Sequence, residues 1–112
     1  VVYTGTHDNP PTRGWYEGLP DAERTNLWRY LQRTPGRSED VAPALLGLAW
    51  SSAAALAIAP LQDVFNLGNE ARMNQPGSAE GNWRWRCTDE MLSAPGFDSL
   101  KDLTRASARA GR

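Results

Sequence analysis

The sequence is short of the residues that build metal centres and disulfides. It carries one cysteine, Cys87, and one histidine, His7. A lone thiol excludes an internal disulfide and a multi-cysteine metal site, and a single imidazole leaves no ligand set for zinc. No metal is expected. Excess charge of one sign is also missing. Twelve basic and 13 acidic side chains leave a net charge of −1, which gives no electrostatic footprint for nucleic acid or an acidic membrane surface. Long apolar runs are missing too. The apolar stretch 45–58 is interrupted by Gly47, Ser51 and Ser52 and is too short for a membrane span. No secretory leader is visible, and the expected location is the cytoplasm.

What is present fits one domain at most in 112 residues. Eight Pro and 10 Gly point to much loop, and five Trp is a high count for this length. Large aromatics fill cores, and they also line sugar sites.

The chain opens on four residues of strand character, Val1, Val2, Tyr3 and Thr4, that run into Gly5 and then Thr6-His7-Asp8-Asn9. Pro10 and Pro11 forbid regular structure there. The pattern predicts a strand with a His-Asp pair at its C-terminal tip, where parallel α/β folds carry functional side chains. Taken alone, the pair reads two ways. A carboxylate and an imidazole at a strand end can bind hydroxyls, orient a sugar or move a proton. An Asp-Asn pair before prolines can equally be Asx-turn chemistry.

Residues 12–19 read as loop. Residues 21–33 read as a helix, with Leu27, Tyr30 and Leu31 on one face and Thr34-Pro35-Gly36 as its stop. Ser38 is the expected N-cap of a second helix, with Pro43 placed in its first turn. Two adjoining stripes, Leu45, Leu48, Ala49 and Ser52 beside Leu46, Trp50 and Ala53, predict burial over a wide arc. Residues 56–59 suit a short buried parallel strand, with helix as the alternative, and Pro60 can start a helical turn that Gly68 ends. The order strand, helix, helix, strand makes a βα(α)β unit. Residues 69–81 read as loop. Trp83 and Trp85 alternate with Arg84 and Arg86, so an extended segment would set both rings on one side. Thr88 is a candidate cap, and residues 97–109 read as a terminal helix with Phe97, Leu100, Leu103 and Ala106 on one face.

Several strings carry a resemblance. Y-T-G-T-H-D-N from Tyr3, followed by T-R-G-W-Y, is similar to a signature region of the amylomaltases, the 4-alpha-glucanotransferases. A-P-L-Q-D-V-F-N-L-G-N-E-A-R-M-N-Q-P-G from Ala59, and then G-N-W-R-W-R, resemble the same family's C-terminal segment in order and spacing. Pro10-Pro11 departs from the pattern, where a polar residue is more usual.

The resemblance implies a fold and a chemistry. The fold is α/β, a (β/α)8 barrel related to the alpha-amylase clan. Residues 1–8 would be the seventh strand and its tip, and 56–59 the eighth. The family cleaves an α-1,4 glucosidic bond with retention, through a covalent glucosyl-enzyme, and passes the glucan to a sugar 4-hydroxyl without a cofactor. Asp8 would be the third carboxylate of the site, which grips sugar hydroxyls and stabilises the oxocarbenium-like transition state. His7 would hydrogen-bond the same sugar. Asn9, Asn74 and Pro76 complete the expected substrate-binding set together with Asp63, which reads equally as a cap of the turn at Pro60, and the ligands implied are α-1,4-glucan oligosaccharides derived from starch or glycogen. Trp15, Trp83 and Trp85 are expected to pack, and Arg72, Arg84 and Arg86 to make ion pairs.

The family's nucleophile and acid/base lie on earlier strands, and a barrel needs roughly 250 residues. Residues 1–112 are therefore expected to be a C-terminal fragment of the barrel, inactive alone, with the helices around Leu27 and Leu45 partly uncovered. Two alternatives stand beside this reading: an α-glucan hydrolase of the amylase clan, and a standalone carbohydrate-binding or structural module.

Overall fold

Val2–Tyr3 (β1) and Ala57–Ile58 (β2) form a two-stranded parallel sheet, with Val2 opposite Ala57 and Tyr3 opposite Ile58. The computed structural model describes residues 1–93 and 95–109. Between the strands lie three helices: Thr12–Glu17 (α1), Asp21–Tyr30 (α2) and Ser38–Trp50 (α3). After β2 come Leu61–Val64 (α4), a 3-10 turn at Asn69–Ala71, Asp89–Leu92 (α5) and Pro95–Ala106 (α6).

The packing is organised around α3. One side of it meets α1 and α2 in a cluster of Tyr16, Trp28, Val41 and Ala44. Trp28 donates its Nε1–H to Tyr16 Oη at 2.8 Å, so a buried aromatic pair also satisfies its polar atoms. The other side presents Leu46, Ala49 and Trp50 to Val2 and Ala57 of the sheet and to Leu100 and Leu103 of α6. Trp50 donates to Thr104 Oγ1 across that contact. Arg109 closes the end of α3 by donating to the carbonyls of Trp50, Ser52 and Ala54.

Four expectations need correction. Residues 12–17 are helical. A six-residue helix with a glycine in it is not stable by propensity, and this one is held by distant contacts. Gly14 lies against Asn69, where a Cβ would come within 2.9 Å of the Asn69 backbone nitrogen. Ser38 is not the cap of α3. Arg37 holds that position, and its backbone N–H donates to Asp40 Oδ2 at 2.8 Å. Pro43 lies beyond the first turn of α3. It has no N–H to give the carbonyl four residues back, and Asn66 Nδ2 supplies the missing donor to Glu39 O at 2.7 Å. Trp83 takes a left-handed backbone, φ +61°, which breaks the alternation with Trp85.

The predicted Thr88 cap is present, its Oγ1 accepting from Met91 N. The uncovered helix faces are present as well. Tyr30 is 77% exposed and Leu48 46%. One sheet face shares their fate: Val2 and Ala57 pack inward, while Tyr3 and Ile58 point out. A groove of about 400 Å³ bordered by Tyr3, Tyr30, Leu45 and Leu48 adjoins β1. Among the described residues no helix is long and apolar enough to cross a membrane.

Candidate functional site

The two parallel strands end on the same side, and the segments leaving them meet there. After β1 the chain turns within Thr6–Asn9. Asn9 N donates to Thr6 O, and Asn9 Oδ1 accepts from both Thr6 N (2.8 Å) and Thr6 Oγ1 (3.1 Å). The Asx-type chemistry thus falls to Asn9, which spends its amide oxygen locally. His7 and Asp8 sit at the apex with side chains about half exposed, His7 Nε2 lying 3.4 Å from Asp8 Oδ1.

The chain leaving β2 completes the arrangement from above. Pro60 leads into α4, and Gln62 Nε2 donates to Ala71 O, which ties α4 to the 3-10 turn. The following loop passes over the strand tip. Asn74 N donates to His7 O at 3.1 Å, and Asn74 Nδ2 donates to Asp8 Oδ1 at 2.6 Å. Arg72 donates from Nε to Asn74 O and from Nη2 to Asp8 O. Trp83 lays its indole near His7, ring centroids 5.1 Å apart and planes tilted by 36°. Among the described residues no donor reaches Asp8 Oδ2, so one carboxylate oxygen is held and the other has no protein partner there.

A cleft of about 240 Å³ opens beside the turn, lined among others by Thr6, His7, Asn9, Pro60, Gln62 and Arg72. Asp63 forms part of its wall, but its carboxylate is already occupied. Its oxygens accept from Thr4 Oγ1 (2.5 Å), Thr12 N (2.8 Å) and Thr12 Oγ1 (2.7 Å), and the residue is 2% exposed. Asp63 was expected to bind substrate; in the structure its carboxylate is engaged within the chain. It ties the start of the His7–Asp8 loop to the start of α1, whose own N-cap, Pro11, has no side-chain bond to offer. Pro76 is exposed and does not line the cleft. The structure therefore joins His7, Asp8 and Asn74 by direct contacts; of the expected residues, His7, Asn9 and Asp63 line the cleft, and Asp8, Asn74 and Pro76 do not.

Two contributors stand differently from what the sequence favoured. Arg72 was expected in an ion pair; it bonds two backbone carbonyls instead. Trp83 was expected to pack in an extended segment; it stands half exposed against His7. On the far side of α1, Glu70 accepts from Gly68 N at 2.9 Å. That backbone bond, with help from Arg13, holds its carboxyl below the usual carboxylate range. Among the described residues no three His, Cys, Asp or Glu side chains are grouped to hold a metal.

Chemically, the His7 imidazole lines the cleft, and next to it, outside the lining, stand the Asp8 carboxylate with one oxygen that has no donor among the described residues and the Trp83 indole. That set binds vicinal hydroxyls and an apolar ring face, the two surfaces of a pyranose.

A family model described as 4-alpha-glucanotransferase matches residues 1–92. The 4-alpha-glucanotransferase of Aquifex aeolicus is 50% identical over 97 residues, which is 87% of this chain and 20% of that protein. The Thermus thermophilus protein of that name is 45% identical over 112 residues, covering 97% and 22%. The chloroplastic/amyloplastic protein of Solanum tuberosum is 45% identical over 100 residues, covering 89% and 16%. Among solved structures, the amylomaltase of Streptococcus agalactiae in complex with acarbose superposes with a TM-score of 0.87 at 30% identity, over 98% of this chain and 22% of that one. The chain thus spans about a fifth of the length of these relatives.

Proposed function

The chain belongs to the 4-alpha-glucanotransferase family, and from that premise we propose that it supplies the last two strands and the C-terminal helices of a (β/α)8 barrel that transfers α-1,4-glucan segments between oligosaccharides. Its share of its relatives' length and the uncovered face of the β1–β2 sheet support this reading. The substrates are maltooligosaccharides, and the reaction is a retaining double displacement. The nucleophile and the acid/base come from parts of the protein outside these residues.

Within this segment, Asp8 is the transition-state-stabilising carboxylate. As the sugar ring flattens towards an oxocarbenium ion, hydroxyls beside the reacting carbon become better donors. A carboxylate already fixed on one oxygen meets them without reorganising. His7 hydrogen-bonds the same sugar, and Asn74 holds Asp8. The observation that carries the proposal is the bond from Asn74 to Asp8, which engages one carboxylate oxygen at a parallel strand's C-terminal tip, next to the cleft-lining His7, and leaves the other without a donor among the described residues.

The test is the full natural polypeptide that carries this chain, incubated with maltotriose. Glucose and oligosaccharides longer than maltotriose are expected, with no turnover from residues 1–112 alone. Asp8→Asn is expected to lower kcat by at least about 10²-fold, as removal of a group used only in the transition state does. Acarbose, bound in the Streptococcus agalactiae structure, is expected to inhibit. Products no longer than the substrate would indicate a hydrolase and overturn the transferase reading.

A further inference from the structure

We propose that Arg72 is a positioning residue for Asp8, a role that rests on the function proposed above. One guanidinium spans two segments that are far apart in the chain. Its Nε donates to Asn74 O at 3.0 Å and its Nη2 to Asp8 O at 2.8 Å. The same two residues carry the side chains that meet at 2.6 Å, Asn74 Nδ2 and Asp8 Oδ1. Fixing their two carbonyls in one planar fork therefore fixes the separation of the donor and the carboxylate. The fork is rigid because the guanidinium donors are coplanar; an ammonium would offer rotatable donors from a single point.

The charge of Arg72 is not spent on a carboxylate. Its hydrogen bonds go to backbone carbonyls, and no ion pair to it occurs among the described residues. It makes no hydrogen bond to the Asp8 carboxylate or the His7 ring; although it also lines the cleft, both of its hydrogen bonds go to the residues that set the Asp8 carboxylate. Without it, Asn74 N to His7 O is the remaining backbone bond between the loop after the 3-10 turn and the apex of the first loop. Asp8 would then sample several positions. Misplacement of a reacting group by about 1 Å costs on the order of 10²-fold in rate.

In the full natural polypeptide, Arg72→Ala is expected to lower kcat on maltotriose about 10²-fold with KM changed less than about twofold, the signature of a lost transition-state interaction. Guanidinium ion added to Arg72→Ala is expected to restore part of the turnover, which a general loss of folded protein would not allow. Arg72→Lys is expected to fall at least about tenfold, because a point charge cannot span both carbonyls, and it carries the test should the alanine variant not fold. A crystal structure of whichever variant folds reads the geometry directly. Asn74 Nδ2 beyond hydrogen-bond distance of Asp8 Oδ1 supports the proposal. That bond kept intact, or kcat within about threefold of wild type, overturns it. A wild-type protein inactive on maltotriose would overturn the glucanotransferase reading instead, and the crystal structure would still decide the role of Arg72.

Discussion

Removing the Asp63 carboxylate is the sharpest stability test available in this chain. The group is 2% exposed and accepts three hydrogen bonds, from Thr4 Oγ1, Thr12 N and Thr12 Oγ1. In Asp63→Ala all three donors lose their acceptor. A buried donor left unpaired costs about 1–3 kcal/mol. The two hydroxyls can rotate to find other acceptors, whereas the backbone N–H of Thr12 cannot. The summed loss is then about 3–5 kcal/mol, at the severe end for a single substitution. Asp63→Asn gives a different answer. Its Oδ1 can still accept from Thr12 N, and its new amide donors can face hydroxyls turned to accept, so about 1–2 kcal/mol is expected. Thermal melting of the full natural polypeptide and both variants measures the order. Asp63→Ala within about 1 kcal/mol of wild type, the cost of an ordinary substitution, would refute the reasoning, and so would an asparagine variant as damaged as the alanine one.

Two further substitutions test the fold and its charge. Asn66 has φ +59° and gives its Nδ2–H to the carbonyl that Pro43 leaves unpaired. Asn66→Gly is expected to cost about 1 kcal/mol for the bond, and Asn66→Ala about 1–2 kcal/mol more because alanine resists the left-handed region; equal melting temperatures would reject this. Glu70 is held below the usual carboxylate range chiefly by the Gly68 N–H. A depressed carboxyl stabilises the fold above its unfolded-state value and stops doing so as pH falls through its folded value. Glu70→Gln should therefore melt lower than wild type at neutral pH, and the gap should close in acid; a gap that persists at low pH would contradict the assignment.

Local pattern was enough for α2, for β1 and β2 as separate strands, for the Thr88 cap and for His7-Asp8 at a strand tip, because each depends on residues within a few positions. It failed at α1. A proline followed by two glycines in seven residues reads as loop, and the forces that make residues 12–17 helical come from Asp63 and Asn69, more than 50 positions on. The same distance hid the role of Asp63 itself. Seen from its own neighbours it is an acid after a strand, free to bind a sugar; only its partners Thr4 and Thr12 show it is committed. Leu48 shows the converse. Periodicity assigned it to a buried stripe, and the stripe is real, but nothing among the described residues covers that part of it. Arg72 carried no local signal at all, since a guanidinium that bonds carbonyls looks in sequence like one that bonds carboxylates.

These observations separate two tasks that the chain performs. Its exposed apolar surface, Tyr3 and Ile58 on the sheet and Tyr30 and Leu48 on the helices, bears on whether the chain is stable by itself. The placement of Asp8 does not draw on that surface. The loop from Thr4 to Thr12 is tied at both ends by Asp63, pinched in the middle by Asn9, and covered by Arg72 and Asn74. Every one of those ties is a hydrogen bond within this chain, at the end of the sheet and not along its open face. Whatever packs on Tyr3 and Ile58 can therefore raise the stability of the segment while leaving the geometry of its carboxylate as it is. It follows that substitutions on the open face should move melting temperature, and those at Arg72 or Asn74 should move turnover.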